Sequence, residues 1–379
     1  MAAHFYEQLL TAEPQDREAR QALIRLHDLL GHSARADELR QSLGAEAPQQ
    51  ITENRPAAGH GPRLLWETFL EEQAVAGLAL ADDALFVTTQ GGSLVALDRQ
   101  RGEERWRFAA SKPIVSGPVY SSDGAQALVF FGAEDHTLYA VSATDGQERW
   151  RFTAPAPIQG APAVTPDVVY FGSTDGNLYA VERSTGAFLW RFATGGAIHS
   201  APLVTGSTVY VGSLDRNVYA VDARTGAERW RFATLAAVES TPAALGDLLF
   251  LGANDSRLYG LNAETGAEVW RYSTGDAVYA RPVVGQGLIY VASALSADDG
   301  SLRWRFDVQS FLNTAPAYDG RALYFVASAD PRLYAVDADS GTLLWSIDTG
   351  DWPTAEPLLA GSELYLGEKD GTVLAYELP

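Results

Sequence analysis

The chain has 379 residues, 46% of them apolar and 20% charged, which is the composition of a globular protein. Its 28 Lys and Arg against 48 Asp and Glu give a formal charge of −20, which excludes nonspecific binding to nucleic acid and disfavours anionic membrane surfaces. The absence of Cys excludes disulfides, cysteine zinc sites, iron–sulfur clusters, haem attachment, a lipidated cysteine and a thiol nucleophile.

The first twenty residues carry Glu7 and Glu13 and show no basic segment followed by an apolar run, so no export signal is read there. No stretch approaches the roughly 18 apolar residues of a membrane helix. The expected compartment is therefore the cytoplasm, with no membrane insertion. Residues 1–44 are expected to form a short α-helical segment. Across residues 13–48, Pro14 and Pro48 stand 34 apart, the length of one repeat, and Leu23, Gly31 and Ala36 fall at packing positions. This pattern resembles one tetratricopeptide repeat, although Ile24, His27, Arg40 and Leu43 depart from the family's preferences. Residues 45–61 read as a flexible linker.

From residue 62 onward the chain repeats. Trp66, Trp106, Trp150, Trp190, Trp230, Trp270, Trp304 and Trp345 recur at spacings of 40, 44, 40, 40, 40, 34 and 41. A period near forty, filled with short β-branched and aromatic runs between Gly and Asp turns, predicts one four-stranded propeller blade per unit. In residues 200–234 the strands begin near Pro202, at VYVGS, at NVYAVD and at AERWRF. The sixth unit is shortened, and the last ends at GTVLAYELP without a Trp of its own. Residues 62–70 are accordingly predicted to supply the outer strand of the last blade. The expected fold is all-β: an eight-bladed β-propeller over 62–379, closed by N- and C-terminal strands in one blade.

The segment Ala220-x-Asp222-x-x-Thr225-Gly226-x-x-x-Trp230, with partial copies through residues 96–106, 140–150, 180–190, 260–270, 294–304 and 335–345, resembles the tryptophan-docking motif of PQQ-type (quinoprotein-like) propeller repeats. The resemblance implies that the eight Trp are packing wedges between blades rather than a binding platform. Some enzymes of this kind hold pyrroloquinoline quinone over calcium in the propeller funnel. This chain lacks their adjacent Cys pair and their long insertions. A non-enzymatic eight-bladed propeller lipoprotein of bacterial outer-membrane assembly is nearer in size, and it uses its ring to bind a protein partner.

Candidate functional residues come from comparing the repeats with each other. Three residues before each inner-strand Pro stand Val115, Gln159, His199, Glu239, Tyr279, Asn313 and Thr354, and one before stand Gly117, Ala161, Ala201, Thr241, Arg281, Ala315 and Glu356. The residues between them stay small or aliphatic, so the period of two sends the variable set to one side, taken as the channel. Gln159, His199, Glu239, Tyr279, Arg281, Asn313, Thr354 and Glu356, with Trp352 beside them, form the expected partner-binding mouth. His199 and Glu239 on adjacent blades would be the acid–base pair if the mouth were catalytic. A second series, Asp135, Asp175, Asp215, Asp255, Asp330 and Asp370, marks the hairpins after the second strands, where Asp accepts turn hydrogen bonds. The expectation is a non-catalytic protein-interaction scaffold, within a multiprotein or envelope-assembly complex, with no cofactor or metal and a partner of basic surface. The alternative is a quinone- or metal-dependent oxidoreductase of the alcohol dehydrogenase kind, with PQQ and calcium in the mouth.

Overall fold

The computed structural model describes residues 61–72, 74–291, 293–306, 314–327 and 330–379. The helical segment expected over 1–44 and nearly all of the linker expected over 45–61 lie outside these residues, as does Asn313. The described chain is an eight-bladed propeller of four-stranded antiparallel sheets. Blades 1 to 7 run Val75–Ala109, Val119–Thr153, Ala163–Ala193, Leu203–Ala233, Ala243–Ser273, Val283–Arg305 and Ala317–Asp348. Blade 8 combines Leu358–Ala360, Glu363–Gly367 and Thr372–Glu377 with the N-terminal strand Arg63–Phe69. Arg63 pairs with Glu377 and Phe69 with Thr372, so both ends of the ring share one sheet, as the repeat count predicts.

Blade 4 shows why the sequence folds this way. Its strands are Leu203–Thr205, Thr208–Gly212, Asn217–Asp222 and Glu228–Ala233. The second is buried throughout and the third along its middle, because both of their faces meet neighbouring blades; their runs of Val and Tyr suit that position. The outer strand alternates, with Arg229 and Arg231 in solvent while Trp230 and Phe232 turn inward. In the shortened sixth blade all four strands persist, the second and third reduced to Leu288–Tyr290 and Ser293–Ser296.

The docking tryptophans join blade to blade. The indole N–H of Trp190 donates to the Ala223 carbonyl at 3.1 Å, and Trp150 and Trp230 do the same to Arg183 and Ala263. The Trp190 ring lies on Gly226, whose φ of +73° favours glycine and where a Cβ would come within 2.8 Å of the indole. One glycine thus serves both the turn and the seat of the preceding blade's Trp. Tyr170 and Tyr210 add hydroxyl bonds to the same carbonyls, at 3.1 and 2.9 Å.

Candidate functional site

An antiparallel four-stranded blade places its first and third turns at one end, and its second hairpin with the loop leading into it at the other. The approach loops carry the sequence-predicted mouth. Ile158, Ile198, Val238 and Val278 are buried beneath this face, as are Ser200, Ser240 and Ala280. The residues alternating with them reach the surface. Adjacent approach loops touch: the Ala201 N–H donates to the Thr241 hydroxyl at 3.1 Å, and the Ser240 hydroxyl to the Ala280 carbonyl at 2.9 Å. The alternation therefore converges on the ring's centre from successive blades.

Blades 2 to 5 contribute a polar arc. Gln159 Nε2 donates to Glu134 Oε1 at 2.8 Å, and Asn254 Nδ2 to Glu239 Oε1 at 2.6 Å. His199 Nδ1 stands 3.5 Å from Glu239 Oε2, each side chain about a third exposed. The predicted pair is thus adjacent, and the second Glu239 oxygen is held by Asn254. Blades 6 to 8 contribute an aromatic and ionic arc. Tyr279 is 47% exposed and Trp352 43%, and the Lys369 ammonium lies 4.6 Å from the Trp352 ring centroid. Arg281 Nη2 meets Glu356 Oε2 at 3.3 Å. Thr354 instead donates its hydroxyl to the Val75 carbonyl at 2.7 Å, clamping blade 8 to blade 1.

Glu134, Asn254 and Lys369 were not in the sequence-predicted set. Each immediately precedes a hairpin aspartate, a position that also reads Thr174 and Leu214 and therefore varies as the mouth residues do. That drift was the signal. Their backbone N–H groups bond to the approach loops, to Pro113, Ala237 and Trp352 carbonyls respectively, which carries their side chains to the same face.

The hairpin aspartates are internal latches. Asp215 accepts from the Tyr219 hydroxyl at 2.6 Å, from the Asn217 N–H at 3.0 Å, and from the Gly195 N–H of the approach loop at 2.6 Å. Burial alone would raise its pKa, but these donors outweigh it and hold the carboxyl below the usual range. Asp135 behaves likewise through Tyr139, Ser111 and Thr137. In return Tyr139, Tyr179 and Tyr219 are pushed up to about 12, by burial first and then by their aspartate partners. Blade 8 departs from the pattern beneath Trp352. Where blade 4 has Ser213, donating to the Gly196 carbonyl at 3.1 Å, blade 8 has Glu368, only 2% exposed and with Oε1 unpartnered. Burial pushes its carboxyl up to about 7, with the charges of Asp370 and Asp351 adding to the effect.

Calcium takes six to eight oxygen ligands. Among the described residues, no group of three or more His, Asp or Glu is placed to hold one metal ion. Glu239 and Glu356 are engaged with separate partners.

A ring of eight sheets, sealed by tryptophans and by its own two ends and opening on a mixed polar and aromatic mouth, defines a PQQ-type propeller. The chain belongs to the family described as outer membrane protein assembly factor BamB, which matches residues 58–197, 174–292 and 263–378. No curated protein matches it. Among solved structures it is similar to BamB from Moraxella catarrhalis, with 18% identity over 84% of this chain and 98% of that one and a TM-score of 0.71. It is similar too to the computationally designed Ika8 protein, with 19% identity over 84% of this chain and all of that one and a TM-score of 0.74. At these identities the likeness shows the fold.

Proposed function

We propose that this chain is a non-catalytic interaction scaffold that docks a protein partner on the approach-loop face of the propeller. The observation that carries the reading is the pair of exposed aromatics, Tyr279 and Trp352, on the same face as the Arg281–Glu356 ion pair. Aromatic and Arg side chains in such a setting are the usual anchors of protein interfaces. Family membership supports it, since the matching family and one similar structure are named for an assembly factor. A basic partner surface remains the better match, but the hairpin aspartates are engaged internally, so the attraction falls to Glu134, Glu239 and Glu356. The reading includes no cofactor, and it places the protein in the cytoplasm.

The test is affinity capture from native cells with partners identified by mass spectrometry, repeated with a Tyr279→Ala, Arg281→Ala, Trp352→Ala triple variant. A partner recovered by the wild type and lost by the folded triple variant supports the scaffold. Recovery of the same partner by the triple variant refutes this face. Fractionation of the same cells checks the compartment. Quinone- and calcium-loaded protein that reduces dye with alcohol would overturn the non-catalytic reading.

A further inference from the structure

At the opposite end of the propeller blades 1 and 4 carry a charge motif of acid and arginine, and blade 3 keeps an acid at both of its anchoring turns without the arginine. The last residue of the third strand is Asp98 in blade 1 and Asp222 in blade 4, and the residue before the docking Trp is Arg105 or Arg229. Arg105 bridges Asp98 at 2.8 Å and Asp83, on the first turn, at 2.6 Å. Arg229 bonds Asp222 and the first-turn hydroxyls of Ser207 and Thr208, each at 2.7 Å. In blade 8 the matching acid, Glu377, is paired with Arg63.

Blade 3 keeps the acids and loses the base. Glu182 stands at the Asp222 position and Asp167 at the Asp83 position, but Leu189 replaces the arginine. Among the described residues neither carboxylate has an ion-pair partner; the Glu182 carboxylate accepts from the Thr185 hydroxyl. Where the guanidinium would lie there is a pocket of about 340 Å³, lined by Asp167, Glu182 and Leu189 with Pro166, Asp123 and Arg183. Arg183 does not fill it. Its side chain, 1% exposed, bonds the Asp123 carboxylate at 2.7 Å and the Ser121 and Gln126 carbonyls at 3.0 Å each, bracing the blade 2 wall. Three carboxylates against one guanidinium leave the lining at −3 + 1 = −2.

We propose that this pocket between blades 2 and 3 is a receptor for an arginine side chain presented by a partner protein. The two acids occupy, on separate turns, the positions that a planar guanidinium bridges in blade 1 of the same molecule, and Leu189 supplies an apolar wall for its stem. An ammonium, a single point charge, reaches both turns less well. The inference is independent of the mouth, from which the pocket is separated by the length of the strands.

The test is a titration of the full chain with N-acetyl-L-arginine methylamide, read on the Val168 methyl resonances that line the pocket. A saturable shift is expected, at least threefold tighter than for the corresponding lysine probe and absent for the neutral citrulline probe. Glu182→Gln should weaken it about tenfold. Leu189→Arg should abolish it while raising Tm, because the chain then fills its own pocket as in blades 1 and 4. The mouth triple variant should keep the full response. No saturable shift, an equal response to citrulline, or an undiminished response in Glu182→Gln overturns the proposal. Tighter binding of free L-arginine than of the capped probe overturns the assignment to a partner protein.

Discussion

Arg281 of blade 6 pairs with Glu356 of blade 8 at 3.3 Å although blade 7, with only Ala315 at the matching position, stands between them. The two side chains are 44% and 50% exposed, so solvent screens the attraction. Arg281→Ala and Glu356→Ala should each change unfolding free energy by less than about 1 kcal/mol. Partner capture should fall in both. Urea denaturation beside a pull-down separates the two effects, and a loss of stability well above that bound would make the pair structural.

Trp190 is 8% exposed, donates to Ala223 and rests on Gly226. Trp190→Ala should cost about 3–5 kcal/mol, the usual range for emptying an aromatic core position. Trp190→Phe should cost less while still losing the indole hydrogen bond, worth about 1 kcal/mol. Equilibrium unfolding of the two variants checks the order.

Glu368 titrates higher in the fold, at about 7, than the 4.5 of an unperturbed glutamate. A raised folded-state pKa means that the folded chain favours the proton. The associated stability is fully present below about pH 4.5 and is lost as pH rises through 7. Glu368→Gln, which mimics the protonated form, should match wild type near pH 4 and exceed it at pH 8 by roughly 3 kcal/mol. A gain that is the same at both pH values would remove the carboxyl as its cause.

The hairpin tyrosines titrate in the opposite part of the scale. Tyr139, Tyr179, Tyr219 and Tyr334 ionise at about 12 in the fold against 10.0 free. Their contribution is present below pH 10 and lost between 10 and 12. Stability measured across that window should fall steeply, and Tyr219→Phe should make the fall shallower.

The propeller was legible because a packing motif must recur wherever a blade meets a blade: Trp190, Gly226 and the Ala223 carbonyl form one contact, and the sequence repeats its parts. The mouth was legible in outline because the contrast between fixed Ser200 and variable His199 reflects burial on one side only. What the sequence concealed were contacts between residues far apart along the chain. Nothing local connects Glu134 to Gln159 or Arg281 to Glu356, and Thr354 has the polarity of a mouth residue while its hydroxyl clamps a neighbouring blade. The charge motif of the outer strands is not legible within one blade, because Leu189 is unremarkable until Arg229 shows what stands at the same place.

Blade 8 also sets a timetable for synthesis. Arg63 and its partner Glu377 are 314 residues apart, so the first strand of the ring leaves the ribosome long before the strand it pairs with exists. At about 5–20 residues per second the wait is roughly a quarter of a minute to a minute. Throughout it a segment bearing Leu64, Leu65 and Phe69, exposed even in the finished ring, has an unpaired edge on both sides. The first strand gains its only sheet neighbour when Thr372–Glu377 is made.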